Sequence, residues 1–240
     1  MSKLTKIAAA IALVSGSVAV PSIAMADVTA NAAMGSNYVW RGLTQTENEA
    51  AISGGIDYAS EGGFYAGTWA SNVNYGAGDE FSYEHDLYAG YAWESGDMSF
   101  DVGYLYYNYD KDGKFDFGEV YGTVGLGAFS VSLYVLANTE ADEAPGQDFG
   151  FGEATYLSLD YAIPVGSNGT EMAFHVGRHA GDFVEAFNGV PDTYIDYGVT
   201  FSNGGFAFMI SGTDTDEPEA SAYNNDDLRF TVSYGLDFDL

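Results

Sequence analysis

The feature that most constrains this chain is a period of two. In segment after segment apolar residues alternate with small or polar ones, the pattern of a strand whose two faces meet different surroundings. The last run is the clearest: Leu228, Phe230, Val232, Tyr234, Leu236, Phe238 and Leu240 share one face, and Arg229, Thr231, Ser233, Gly235, Asp237 and Asp239 the other. Phe129, Val131, Leu133 and Val135 alternate with Ser130, Ser132 and Tyr134; Leu157, Leu159, Tyr161 and Ile163 with Tyr156, Ser158 and Asp160; Ile195, Tyr197, Val199 and Phe201 with Tyr194, Asp196, Gly198 and Thr200. Twelve such segments can be placed, at 28–40, 50–59, 63–73, 82–93, 98–108, 117–126, 128–138, 154–164, 171–180, 193–202, 205–213 and 228–240. Most have about the 9–11 residues that a tilted strand needs to cross a bilayer.

The connections alternate in length. Short turns fall at 60–62, 94–97, 127, 165–170 and 202–204; long ones fall near 41–49, 74–81, 109–116, 139–153, 181–192 and 214–227. Short turns on one side and long loops on the other mark an outer-membrane β-barrel, and an even strand count puts both termini on the short-turn, periplasmic side. A soluble β-sandwich or jelly roll shares the alternation. Against it stand the bilayer-length strands, aromatics on the apolar face near strand ends (Tyr65, Trp69, Tyr91, Trp93, Tyr161), and an opposite face too small and polar for a second packed core. The chain also stops at the end of its last amphipathic strand, with Phe238 third from the end. The expected fold is therefore all-β, a transmembrane antiparallel up-and-down barrel of about 12 strands.

Charge and composition exclude other classes. The chain has a formal net charge of −28, no Cys, and 16 Phe, 19 Tyr and 3 Trp. Such acidity excludes nucleic acid as a partner, and the aromatic content argues against disorder. No segment after residue 26 carries 18 consecutive apolar residues, so helical membrane spans are excluded. Residues 1–26 read as a cleaved signal peptide: Lys3 and Lys6 start it, Ile7 to Val20 is apolar, and Ala24-Met25-Ala26 supplies the cleavage site. That leaves one domain, 27–240, exported to the outer membrane of a Gram-negative bacterium.

The run Asn37-Tyr38-Val39-Trp40-Arg41-Gly42-Leu43-Thr44-Gln45-Thr46, with Ser53 to Tyr58 and Gly63 to Val73, resembles the TorF-type porin family of proteobacterial outer-membrane β-barrels. The resemblance implies an outer-membrane barrel with a pore. It brings no substrate and no functional residues.

Asp57, Glu84, Asp86, Asp101, Glu119, Asp160 and Asp196 fall on the polar phase of their strands. Inside a barrel they line a lumen of negative potential that favours cations. Arg229 joins them, with His175 and His179 able to charge at mildly acidic pH. The same residues also suit an occluded interior in which Tyr, Ser, Thr and Arg229 satisfy the carboxylates, since a narrow barrel leaves little open space. His175 and His179 share the lumen face some ~13–14 Å apart at the usual strand rise, too far for one metal ion. Arg178 falls on the apolar face, at the outer interface. The long loops carry Asp110, Asp112, Asp116, Glu140, Asp142, Glu143, Asp148, Asp214, Asp216, Glu217, Glu219, Asp226 and Asp227, a solvated acidic rim or a weak Ca²⁺ or Mg²⁺ site bridging to lipopolysaccharide phosphates. His85, on the apolar phase, is the residue around which a lipid-cleaving site could form, without an evident partner Ser.

The expectation is a small porin-like channel for passive diffusion of ions or small hydrophilic solutes, preferring cations, with no catalytic residues, cofactor or metal. Its partners are outer-membrane lipid, lipopolysaccharide and, through the C-terminal strand, the barrel-assembly machinery. The alternatives are an outer-membrane enzyme acting on lipids and a plugged structural or surface-binding barrel.

Overall fold

A computed structural model describes residues 27–76, 81–111, 114–216 and 224–240. The expected leader, 1–26, and Asp112, Glu217 and Glu219 of the acidic loops lie outside the described residues. The chain runs β1 (Asp27–Gly35), β2 (Val39–Trp40), β3 (Leu43–Thr44), β4 (Ala51–Ala59), β5 (Phe64–Asn72), β6 (Tyr83–Ser95), β7 (Met98–Tyr109), β8 (Phe117–Leu126), β9 (Phe129–Thr139), β10 (Thr155–Val165), β11 (Thr170–Ala180), a short helix α1 (Asp182–Asn188), β12 (Thr193–Asn203), β13 (Phe206–Thr213) and β14 (Arg229–Asp239).

Twelve of these strands, β1 and β4–β14, form a closed antiparallel barrel in which each pairs with its neighbours in order. Closure comes from β1, which pairs with β4 on one side and with β14 on the other (Thr29 opposite Asp239, Gly35 opposite Ser233). With no free edge, every wall strand can satisfy its backbone within the sheet, which is what a hydrocarbon surround demands.

The outer surface is the apolar phase of the sequence. Val124, Val131, Leu159, Val176 and Tyr197 lie opposite one another across five strands and all point outward, each more than a third exposed. Near the short turns the exterior turns aromatic: Tyr58 lies beside Phe64, Trp93 stacks on Phe100 at 5.1 Å, Phe129 packs on Tyr161 at 4.4 Å and Phe206 on Tyr234 at 4.5 Å. This is the belt expected at a membrane–water boundary. Tyr91 and Trp93 belong to it, but Tyr65 and Trp69 do not. Tyr65 is 1% exposed and Trp69 packs on Tyr38 inside the barrel. Their phase explains the correction: on β5 both share a face with Gly67 and Ser71, and phase rather than aromatic character decides the side.

Inside, tyrosines lie over glycines of the adjacent strand. Tyr65 faces Gly90, Tyr88 faces Gly67, and Tyr121 faces Gly103. A Cβ at Gly90 or Gly103 would come within 2.3 or 2.5 Å of the facing tyrosine hydroxyl. The glycines make the room that these rings occupy along the inner wall.

Two further elements overturn sequence expectations. The first strand ends at Gly35, not near residue 40. The chain then leaves the wall, and β2 and β3 form a hairpin that enters the barrel rather than an external loop over 41–49. Its turn carries Arg41 at φ 47° and Gly42 at φ 80°, the pair of positive φ values that suits tight hairpins. In addition, the 181–192 connection holds α1, ended by Gly189 in the left-handed conformation. The helix turns Phe183 and Phe187 onto Phe117, with Trp40 of the hairpin at 6.2 Å from Phe187. The inner face therefore does build a second packed core, of Trp40, Tyr107, Tyr109, Phe117, Phe149 and Phe183. Sequence phase missed it because its members come from a hairpin, a helix and a loop as well as from the wall.

Candidate functional site

The hairpin tip is the centre of the site. Arg41 donates from Nη1 to Glu119 Oε1 at 2.9 Å and from Nη2 to Glu119 Oε2 at 2.5 Å, a two-pronged ion pair with both side chains 5% exposed. A register shift between Gly118 and Glu119 sits in the β8–β9 ladder at this carboxylate, as bulges do where a side chain must be re-aimed. The guanidinium also lies 4.4 Å from the Trp40 ring, 4.3 Å from Tyr156 and 5.1 Å from Tyr134, within the range of cation–π attraction.

Arg41 fixes the state of His179. Nη1 is 2.9 Å from His179 Nε2, and arginine can only donate, so Nε2 accepts and the proton of a neutral ring sits on Nδ1. That nitrogen is 3.2 Å from the Tyr194 hydroxyl, which in turn donates to the backbone carbonyl of Arg41 at 3.0 Å. Arg229 donates to the neighbouring carbonyl, Gly42 O, at 2.7 Å, and to Asn225 Oδ1 at 2.8 Å. Both carbonyls of the turn are thus held by the wall. No space is left at the tip: a Cβ on Gly42 would lie 2.5 Å from Asp196 Cβ and 2.6 Å from Thr213 Cγ2.

All ten residues expected to face the lumen do face inward. Around Arg41 and Arg229 they fall into four groups. Glu84 accepts from the Tyr38 and Tyr109 hydroxyls, each at 2.6 Å. Two positions along the same strand, Asp86 is buried, and its Oδ1 has no hydrogen-bond partner among the described residues. His175 bridges Asp160, 2.6 Å from Nδ1, and Asp196, 2.9 Å from Nε2. With both ring nitrogens on carboxylates, both donate and the ring carries a positive charge. Nearer the short-turn side, Asp101 accepts from Tyr65 at 2.7 Å, Tyr65 meets Tyr121, and Asp57 accepts from Tyr88 and from Asn31.

The arrangement differs from an array of free carboxylates along a water column. The groups are tied to tyrosines, to histidine and to the hairpin, and Arg41, absent from the expected lumen set, pairs with Glu119 and His179 and lies over three rings. Its signal in the sequence was the Arg-Gly pair between apolar Trp40 and Leu43, a hairpin-turn pattern.

Outside the lumen, Arg178 is exposed on the outer face near the end of β11. His85 also faces outward, 2.6 Å from Thr68 Oγ1; no described serine joins it. Described loop carboxylates cap backbone amides: Asp110 accepts from Ser82 N at 2.8 Å, Asp116 from Tyr109 N at 3.0 Å, and Asp226 from Asp216 N at 2.8 Å.

Several solved structures are similar to the chain at low identity. A KdgM porin is 9% identical, with a TM-score of 0.49 over 89% of this chain and 99% of that one. LpxR from Salmonella typhimurium is 10% identical, with a TM-score of 0.43 over 88% and 99%. The outer membrane protein OpdK from Pseudomonas aeruginosa is 14% identical, with a TM-score of 0.37 over 88% and 61%. At such levels no solute or activity passes from them to this chain. No curated protein matches the sequence. The model of a bacterial protein family of unknown function, Gcw_chp, matches residues 21–235, and the chain belongs to that family.

Proposed function

We propose that the protein is a small outer-membrane channel of the porin type, as its TorF-type sequence resemblance also implies. In this reading it passes ions or small hydrophilic solutes by diffusion, prefers cations, and is held in a closed state by its own β2–β3 hairpin. The observation that carries the reading is the acidic interior of a closed barrel: Asp57, Glu84, Asp86, Asp101, Glu119, Asp160 and Asp196 all point inward, against Arg41, Arg229 and His175. Glu84 and Asp86, two buried carboxyls on one strand facing the interior, support the preference for cations. The latch is made of one ion pair, a few hydrogen bonds and ring contacts on an excursion from the wall, so releasing it leaves the barrel's own ladder intact.

The test is planar-bilayer conductance of the refolded protein, with folding verified by heat-modifiable gel migration. Rare, small, cation-selective openings in the native protein, made frequent by loosening the hairpin, support the proposal. Folded barrels silent in both forms would instead assign the protein to the plugged, surface-binding class.

A further inference from the structure

Above the hairpin, on the long-loop side, lies a cavity of about 370 Å³. Its floor is Leu43, Thr44 and Gln45 of the hairpin, and α1 closes one side with Phe187 and Asn188. Five aromatic rings line it: Tyr75, Phe81, Tyr109, Phe115 and Phe187. They brace one another, Phe81 lying edge-on to Phe115 at 5.2 Å and to Tyr109 at 5.4 Å, with Phe115 tilted against Phe187 at 5.7 Å. The size is that of a small-molecule site.

No charged side chain lines the cavity among the described residues, and its polar groups are engaged. Gln45 accepts from the Tyr75 hydroxyl at 2.9 Å and donates to Leu43 O. Asn188 donates to Val184 O, and Asn225 accepts from Thr44 N and from Arg229. A sugar, which must exchange many hydroxyl hydrogen bonds with water for equivalent ones, finds few here.

The surroundings are acidic. Glu47, beside β3, reaches to within 2.7 Å of where a Cβ of Gly76 would stand, next to Tyr75. Asp110 accepts from the amide of Ser82, adjoining Phe81, and Asp116 from the amide of Tyr109. Against the desolvation that raises it, the Ser82 amide holds the Asp110 carboxyl below its ordinary value. Of the cations nearby, exposed Lys114 is paired with Asp142, and Arg229 lies behind Asn225, to which it donates as it does to Gly42 O. Anions are therefore disfavoured. A charge-bearing ligand with little need of hydrogen bonds, attracted by ring faces and a negative rim, is an alkylated ammonium.

We infer that this cavity binds small quaternary ammonium compounds of the choline type, seating the trimethylammonium group among the five rings and above the hairpin. The inference goes beyond the channel reading and does not depend on conduction, so either can fail alone.

The test is titration calorimetry of the full refolded barrel in a polyoxyethylene detergent, which carries no ammonium group or sugar. The probes are choline, its neutral isostere 3,3-dimethylbutan-1-ol, and maltose. Saturable choline binding, at least about tenfold tighter than the isostere, is expected for a cation held by several ring faces. Phe81→Leu combined with Phe115→Leu, which keeps apolar bulk but removes two ring faces, should weaken choline by about tenfold and leave the isostere unchanged. Equal binding of choline and isostere, no saturable choline heat, or maltose binding in choline's place each overturns the inference. The isostere comparison needs no variant, so a misfolded double variant does not spare it.

Discussion

Replacing Glu119 by Gln should release the hairpin from the lumen. The native pair is two-pronged, at 2.9 and 2.5 Å, with both side chains 5% exposed. Removing one charge from such a pair strands the other in a water-poor site, at a cost of about 3–5 kcal/mol. Arg41 keeps His179, three ring contacts and whatever hydrogen bond the new amide offers, so the lower end applies. About 3 kcal/mol is a hundredfold shift in the docking equilibrium, at roughly 1.4 kcal/mol per decade. The chain has no cysteine, so a single reporter can be introduced without background. Val39 suits it, being 2% exposed and packed with Ala207 and Met209. In a Val39→Cys protein, the rate of modification by a membrane-impermeant thiol reagent follows the undocked population. Glu119→Gln should raise that rate about a hundredfold. Arg41→Met with Glu119→Leu, which replaces the pair by apolar groups of similar volume, should raise it far less. A Glu119→Gln protein that labels at the native rate would refute the reasoning, because the ion pair would then contribute nothing to docking.

Gly42→Ala should undock the tip by a second route, adding a Cβ within 2.6 Å of two wall residues at φ 80°, and should raise the same labelling rate. Leu133→Lys, at the centre of β9 on the outer face, should cost about 2–4 kcal/mol in urea-unfolding experiments in lipid vesicles if that face meets hydrocarbon; the neighbouring lumen substitution Ser132→Thr should cost much less. Asp57→Asn, Asp101→Asn and Asp160→Asn combined should lower the cation-to-anion permeability ratio read from the reversal potential, and an unchanged ratio would remove these carboxylates from the conduction path.

The barrel was legible because its wall has a two-residue period imposed by two unlike surroundings. Strands such as β9, β10 and β12 announce both faces in their own sequence, and the observed ends of β8 and β9 fall within a residue of those read from it. The hairpin was not legible for the converse reason. Tyr38, Val39, Trp40, Leu43 and Thr44 are buried on all sides, so nothing alternates, and a run of apolar and aromatic residues reads as the continuation of β1. Its partners, Glu119, His179, Tyr194 and Arg229, come from strands far along the chain, and only closure of the barrel brings them together. The carboxylates could be assigned to the inner face because phase alone sends them inward. Their engagement with Tyr38, Tyr65, Tyr88 and Tyr109 was hidden, since it depends on which strand lies across from which.

The most direct measurement is single-channel recording across a salt gradient, comparing the native barrel with its Glu119→Gln variant, both shown to be folded. A latched, acidic channel predicts brief and infrequent openings of the native protein and sustained openings of the variant, with both reversal potentials displaced toward the cation equilibrium potential. Silence of the folded variant, or a reversal potential displaced toward the anion, would contradict it.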